Sequence, residues 1–181
     1  AAILGWDQET FMPAKAVNYR AKQLSYLSGK IHEMSTSGDY EALLQAAEQQ
    51  CDGNDTIASS NLREWRHHFD RSTKLPADLV RESSEITSLA KVAWADARTN
   101  NQFNTFAPHL EKLLNLARKK AELWGYQDEP YSALLSGYER GADTTTVAAV
   151  FDGCRAELIE TARLATEKSS ANPSRELTGV F

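Results

Sequence analysis

The segment Phe103–Trp124, FNTFAPHLEKLLNLARKKAELW, carries the clearest helical pattern in the chain and decides its fold class. Its apolar residues recur at intervals of three and four, which places their side chains on one face of an α-helix. Gly125 follows at the position where a left-handed C-cap belongs. The face that this pattern predicts to be buried consists of Leu110, Leu113, Leu114, Ala117 and Ala121.

The same helical period recurs on both sides of this segment, and strand-like alternation is found nowhere over a useful length. Upstream, Pro13 begins a long helix that Gly38 ends, and Asp55 caps a later one. Near the C-terminus, Asp143 or Thr144 caps the last helix. The sequence therefore predicts an all-α fold of about seven or eight amphipathic helices, packed as an irregular helical bundle with no sheet.

Three further helices have apolar faces that we expect to be buried. They belong to the long helix after Pro13, to the helix after Asp55 and to the last helix. In chain order these faces are Val17, Ala21, Leu24, Leu27, Ile31 and Met34, then Ala58, Leu62, Trp65, Phe69 and Thr73, and then Val147, Val150, Phe151, Cys154, Leu158, Ala162 and Ala165.

Composition excludes several classes of partner. The 181 residues carry a formal net charge of -5, which speaks against binding to a nucleic-acid backbone. No apolar run is long enough to cross a bilayer, so we expect no membrane partner. The two cysteines, Cys51 and Cys154, lie far apart and form no metal-binding spacing, which indicates a reducing compartment; we expect the cytoplasm.

The N-terminal stretch Leu4–Pro13, LGWDQETFMP, is on its own the end of one helix and a structured turn into the next. Other distinctive segments follow at 70–76 (DRSTKLP), 94–98 (WADAR), 101–110 (NQFNTFAPHL) and 125–135 (GYQDEPYSALL). In this order they resemble the Taq-type (thermostable) metallocarboxypeptidases, whose chains open with an almost identical Leu-Gly-Trp-Asp-Gln-Glu-Thr-aromatic-Met-Pro. The resemblance covers nearly the whole chain, but only the N-terminal, helical part of that family.

The resemblance implies a parent enzyme that uses zinc-activated water to release single C-terminal residues from peptides. It also implies a homodimer and a peptide substrate, with the N-terminal helices forming a wall or lid of the substrate groove. Residues 1–171 would be this helical region, and 172–181 the start of a truncated connection. We expect the chain to be cut at both ends and to be inactive alone. The alternative is a free-standing helical module that binds a peptide or a partner protein without catalysis.

The histidines of this chain do not have the spacing of a metal site. The family binds its metal through a His-Glu-x-x-His helix, whose two histidines point to one side. The nearest match here, His32-Glu33-Met34-Ser35-Thr36, has a threonine in place of the second histidine. The adjacent His67 and His68 diverge on their helix, and His67 is expected on the solvent side. We therefore expect no catalytic residue, no metal ligand and no bound zinc in this chain.

Six polar or aromatic residues are the candidates for a substrate-related role. From the residues alone, the candidates that lie on a helix next to a proline turn are predicted to form ion pairs at the helix end. The resemblance implies instead that all six candidates line the substrate groove or brace it. The two interpretations stay open at this point. The candidates are Trp6, Asp7, Gln8, Asp70, Arg71 and Arg98.

Truncation would also expose apolar surface that the longer protein buries. The residues we expect to be exposed for this reason are Trp6 and Phe11 near one end and Val180 and Phe181 at the other. We expect the isolated chain to self-associate through such surface, because burying it is worth about 25 cal/mol for each Å².

Overall fold

The structure, a computed structural model, describes residues 1–51 and 56–171, and the side chains of α8 as far as residue 168. These residues form eight α-helices and one short 3₁₀ helix, with no strand, which confirms the predicted all-α class. The elements are α1 (Ala2–Thr10), the 3₁₀ helix (Ala14–Ala16), α2 (Val17–Ser35), α3 (Gly38–Gln50), α4 (Thr56–Thr73), α5 (Ala77–Thr99), α6 (Phe103–Trp124), α7 (Pro130–Leu135) and α8 (Thr144–Ala171).

The chain divides into two compact units, Ala1–Tyr126 and Gln127–Phe181. In the first unit, α5 packs against both α2 and α6, α3 packs against α4, and α1 contacts α2. In the second unit, α7 contacts α8. The division of the chain into a region 1–171 and a connection 172–181 remains a prediction, and the connection lies outside the described residues.

Small residues, and not the large apolar ones, form the buried face of α2. Ala21, Ser25 and Gly29 are buried there, and Ser25 Oγ donates to the carbonyl of Arg81 on α5 at 3.0 Å. A Cβ on Gly29 would lie 2.9 Å from Cγ of Arg81, so a larger side chain there would have to displace the Arg81 side chain that packs over it. The prediction that Ile31 and Met34 belong to the buried face is wrong: both are exposed.

Helices α3 and α4 share the one cluster of large buried apolar residues that is found in the described part of the chain. Leu44, Leu62 and Phe69 form it, and Ala47 and Cys51 pack against it. Trp65 was expected on this buried face, but half of it (50%) is exposed. The Trp65 side chain borders an apolar cavity of about 280 Å³, which is otherwise lined by residues of α3.

Two glycines behave differently from the sequence prediction. Gly38 begins α3 and does not end α2, because Ser37 caps α3 by accepting from the backbone N–H of Tyr40 at 3.2 Å. Gly125 follows α6 as expected, with φ +83° and ψ 152°. This φ favours glycine, but the ψ is extended, so the residue is not in the left-handed helical conformation of the predicted cap.

Helix α8 begins as predicted. The carboxylate of Asp143 accepts from the backbone N–H of Thr146 at 2.7 Å, which satisfies a donor of the first helical turn. The apolar face of α8 is not buried: every residue from 148 to 168 is exposed, including Cys154. The expected cap at Asp55 lies outside the described residues. None of the helices in the described residues has the length and hydropathy needed to cross a membrane.

Candidate functional site

Helix α1 is held to α2 through Asp7. Its Oδ2 lies 2.5 Å from Nη2 of Arg20, and Nη1 of Arg20 donates to the backbone carbonyl of Leu4 at 2.5 Å. One guanidinium therefore binds both a side chain and the main chain of α1. Because Arg20 is largely buried and the bonds are charge-assisted, this contact fixes the position of α1 on α2.

Gln8 holds the same helix to α5. Its Nε2 donates to the carbonyl of Ser88 at 2.9 Å, and the hydroxyl of Ser88 donates back to Oε1 of Gln8 at 2.9 Å. One turn further along α5, Lys91 forms an ion pair with Glu9. Asp7 and Gln8 are thus both engaged in contacts between helices.

Trp6 is differently placed. It is 58% exposed, and its ring meets the exposed ring of Phe11 edge to face at a centroid distance of 5.4 Å. The exposure expected for Trp6 and Phe11 is therefore observed, whereas Val180 and Phe181 lie outside the described residues. Of the three N-terminal candidates, Trp6 has the most surface available to a ligand.

Arg71 fastens the end of α4 to the end of α6. Its guanidinium lies 3.9 Å from the ring centroid of Trp124, and the indole N–H of Trp124 donates to the carbonyl of Arg71 at 3.2 Å. Lys74 adds a hydrogen bond from Nζ to the carbonyl of Trp124 at 2.9 Å. Burial lowers the pKa of Arg71, since the apolar ring replaces part of its hydration.

Asp70 and Arg98 make weaker contacts. Asp70 lies 3.9 Å from Nη1 of Arg66, which is held more tightly by Glu48 on α3 through two hydrogen bonds of 2.9 and 2.7 Å. Arg98 stacks over Trp94, one turn earlier on α5, at 5.4 Å from the ring centroid. Both residues are exposed.

The six candidate residues do not surround one cavity. Asp7 and Gln8 act together on α1, Arg71 acts at the α4–α6 end, and Arg98 contacts its own helix. Gln8 alone among the six lines a cavity of about 400 Å³, which is formed by residues of α1, α2, α5 and α6.

The hydroxyl groups of that cavity were missed from the sequence. Ser83, Ser84, Thr87 and Ser88 line it from α5, and Ser28 lines it from α2, where it donates to Ser84 at 2.9 Å. The sequence does contain a pattern that could have indicated them: Ser83 and Ser84 are followed four residues later by Thr87 and Ser88, and this spacing puts the α5 hydroxyls on one face of the helix.

A catalytic metal does not fit the residues that the structure describes. At His32, the hydroxyl of Thr36 donates to the carbonyl of His32 at 2.7 Å, and Glu33 is paired with Lys30 at 2.8 Å. The residues of that segment are thus engaged within their own helix. Across residues 1–51 and 56–168, no group of three or more His, Cys, Asp or Glu side chains is arranged to hold a metal ion.

The expected position of His67 is wrong. It was expected on the solvent side of α4, yet it is half-buried and its Nε2 is buried. Helix α4 contacts α2 as well as α3, so it has more than the one buried face that the sequence pattern predicts. His68 is exposed, and the two rings are tilted by 58° at a centroid distance of 6.1 Å.

The chain is similar in sequence to two thermostable carboxypeptidases. The sequence is 35% identical over 159 residues to thermostable carboxypeptidase 1 of Pyrococcus furiosus, covering 83% of this chain and 30% of that protein. It is 32% identical over 151 residues to thermostable carboxypeptidase 1 of Thermus thermophilus, covering 77% of this chain and 30% of that one. The chain thus spans about a third of the length of these relatives.

Solved structures show the same similarity. The structure of Pyrococcus furiosus carboxypeptidase in the form named Apo-Mg superimposes with a TM-score of 0.74 at 31% identity, covering 93% of this chain and 34% of that one. Metallocarboxypeptidase 1 of Trypanosoma cruzi superimposes with a TM-score of 0.72 at 28% identity, covering 98% and 36%. The model of the family described as carboxypeptidase Taq (M32) metallopeptidase matches residues 1–180. This chain belongs to the carboxypeptidase Taq (M32) metallopeptidase family.

Proposed function

We propose that this chain is the N-terminal helical part of a metal-dependent carboxypeptidase that releases single C-terminal residues from peptides. The observation that carries the proposal is the family match over residues 1–180, in a chain about a third as long as its relatives. The described residues hold no metal-binding cluster, so the catalytic metal would be bound elsewhere in the longer polypeptide. We propose zinc as that metal, although the name of one related structure includes Mg.

The role of this part of the enzyme is to shape or gate the substrate groove, and we propose that the chain alone is inactive. Its contacts suit a rigid wall: Arg20 fixes α1 on α2, Gln8 fixes α1 on α5, and Arg71 fixes α4 on α6. A wall held in this way can position a peptide without touching the scissile bond. Trp6 is the candidate that would meet the peptide, because its ring is exposed on a braced helix.

The exposed apolar side of α8 also fits a part of a larger protein. Val150, Phe151, Leu158 and Ile159 are each more than half exposed. Contiguous apolar surface of this kind is unusual in a soluble monomer and marks a surface that another part of the protein or a partner covers. We propose that the rest of the polypeptide covers it, and that the complete enzyme is a cytoplasmic homodimer.

The groove role can be tested in the longer polypeptide that contains this chain. Trp6→Ala should raise KM for a blocked dipeptide several-fold, because an exposed contact to the substrate is lost, while metal content stays unchanged. Lys22→Ala is the control: it removes an exposed, charged side chain of α2, which offers no apolar surface for the rest of the polypeptide to cover, and it should leave kcat and KM unaltered.

Either of two results would contradict the proposal. If the longer polypeptide cleaves no C-terminal residue in the presence of zinc or another divalent ion, the carboxypeptidase assignment fails. If Trp6→Ala leaves KM unchanged in an active longer polypeptide, Trp6 does not meet the substrate, and the proposed groove role loses the residue that would contact the peptide.

A further inference from the structure

Helix α1 lies on α2 and α5 without burying a side chain. All nine of its residues belong to the described part of the chain, and none of them is buried. Each of the two helices that it contacts, by contrast, buries several residues. Since the burial of apolar surface is the main favourable contribution to helix packing, α1 has much less to hold it in place than α2 and α5 have.

Polar contacts hold α1 instead, and three consecutive residues make most of them. Residues 7–9 pair in turn with Arg20 on α2 and with Ser88 and Lys91 on α5. We call these three pairs the α1 latch. Because residues 7–9 lie within one helical turn, a movement that breaks one pair strains the other two, so that the pairs form and break together.

The length of α1 ties its helical structure to the latch. An isolated helix shorter than about 12–15 residues is marginal in water, and α1 has only nine residues. Its backbone hydrogen bonds, such as those from the amides of Gly5 and Phe11, therefore persist only while the latch holds the helix on α2 and α5. Loss of the latch and loss of the helix are one event.

Two of the three pairs in the latch are ion pairs, which makes the latch sensitive to salt. The side chains of Arg20 and Asp7 are 11% and 32% exposed, whereas those of Lys91 and Glu9 are about half exposed. Dissolved ions screen an exposed pair strongly and a partly buried pair less. A rise in ionic strength should therefore weaken the latch, chiefly through the pair of Glu9 with Lys91.

We propose that α1 is a strap that unfolds and refolds as one unit on the folded pair of α2 and α5, with the α1 latch holding it closed. The closed strap is the braced helix described above, and the open strap is a minor state that salt makes more populated. Trp6 lies on the strap, so opening withdraws the ring that we propose to meet the peptide. That consequence alone rests on the proposed function.

Hydrogen exchange of the wild-type 181-residue chain tests the strap, because it measures local opening segment by segment. The amides of residues 5–12 should exchange through one common opening, at least about tenfold more often than the amides in the middle of α5. Raising NaCl from about 0.05 M to about 0.5 M should speed exchange at residues 5–12 by about two- to fivefold. The same change should alter exchange in α5 by less than about 1.5-fold.

Variants of the latch test its members separately. Arg20→Gln should increase the opening of residues 5–12 by about tenfold or more, the size expected when hydrogen bonds from a charged group are lost. Glu9→Gln should increase it by about twofold and reduce the response to salt, because an exposed pair contributes little. Lys30→Gln is the matched control: it breaks an exposed ion pair within α2, with Glu33, and should leave the opening of α1 unchanged.

Three results would overturn the proposal. Exchange at residues 5–12 as slow as in α5 would mean that α1 opens only when the whole chain unfolds. Rates that fall steadily from Ala2 onward would indicate fraying of a helix end and not a cooperative strap. Exchange that salt leaves unchanged would contradict the latch, and this result needs no variant to fold. If the strap opens as expected but Trp6→Ala leaves KM unchanged in the longer polypeptide, the strap stands and only its role at the groove fails.

Discussion

Gln8→Ala tests whether the N-terminal helix is braced by the contacts observed here. The substitution removes both hydrogen bonds between Gln8 and Ser88, each 2.9 Å long. At about 1 kcal/mol for each bond, the free energy of unfolding should fall by about 2 kcal/mol. Gln45→Ala, on the exposed side of α3, is the control and should change it by less than about 0.5 kcal/mol.

A double-mutant cycle with Ser88→Ala predicts both the sign and the size of the interaction energy between Gln8 and Ser88. Ser88→Ala removes its own hydroxyl but leaves its backbone carbonyl available to Gln8, so it should cost only about 1 kcal/mol. In a chain that already carries Gln8→Ala, the same change deletes a buried hydroxyl that has lost its partner, and it should cost nothing or stabilise. The two single effects should therefore exceed the double effect by about 1 kcal/mol or more.

Urea unfolding followed by circular dichroism measures the free energy of unfolding of the four chains of the cycle and of the Gln45→Ala control. Additive effects in the cycle would show that Gln8 and Ser88 do not interact in solution. A loss in Gln8→Ala no larger than that in Gln45→Ala would likewise refute the bracing of α1 on α5.

Three further outcomes follow from the structure. Phe69→Ala empties the α3–α4 cluster and should lower the free energy of unfolding by about 3–5 kcal/mol, whereas Phe103→Ala, on an exposed ring, should cost less than about 1 kcal/mol in the same urea experiment. Hydrogen bonds from the backbone N–H and the hydroxyl of Thr146 lower the pKa of Asp143, so the stability that its carboxylate gives to α8 is present above the pKa of Asp143 in the unfolded chain and is lost as pH falls through the lowered pKa. Asp143→Asn keeps the cap without the charge and should remove this part of the acid sensitivity of helix content. Equal acid profiles for the two chains would contradict that reasoning. After dialysis the chain should hold no stoichiometric zinc by elemental analysis, and one tightly bound zinc that His32→Ala removes would prove the ligand argument wrong.

Much of the fold could be predicted from sequence because helical periodicity and helix-end signals are local. The helical period of α6 and the proline that precedes α5 need no tertiary information, and the start of α8 at Asp143 follows from capping chemistry. The predicted buried face of α6 is only partly right, because Leu114 is 47% exposed and Leu116, which was not predicted, is buried. Burial is not local. Ile31 and Met34 have the right spacing for a core, but the side of α2 that α5 covers holds Ala21, Ser25 and Gly29.

The same limit applies to the candidate site. Sequence could nominate Asp7 and Arg71 as polar residues beside turns, but their partners, Arg20 and Trp124, are 13 and 53 residues away and only folding brings them together. The cavity lined by Gln8 and the hydroxyl groups of α5 was missed for a related reason. A serine on a helix is predicted to face solvent, and whether it is buried depends on how closely a second helix approaches.

The most direct test of the proposed role compares three samples: the 181-residue chain, the separately produced polypeptide that follows it in its reading frame, and their mixture. Release of the C-terminal residue from a blocked dipeptide should be absent with the chain alone and should rise on mixing, while sedimentation shows the chain self-associated or bound to the second polypeptide. Peptidase activity in the chain alone would contradict the proposed role. So would a chain that stays monomeric to high micromolar concentration and adds no activity to the mixture.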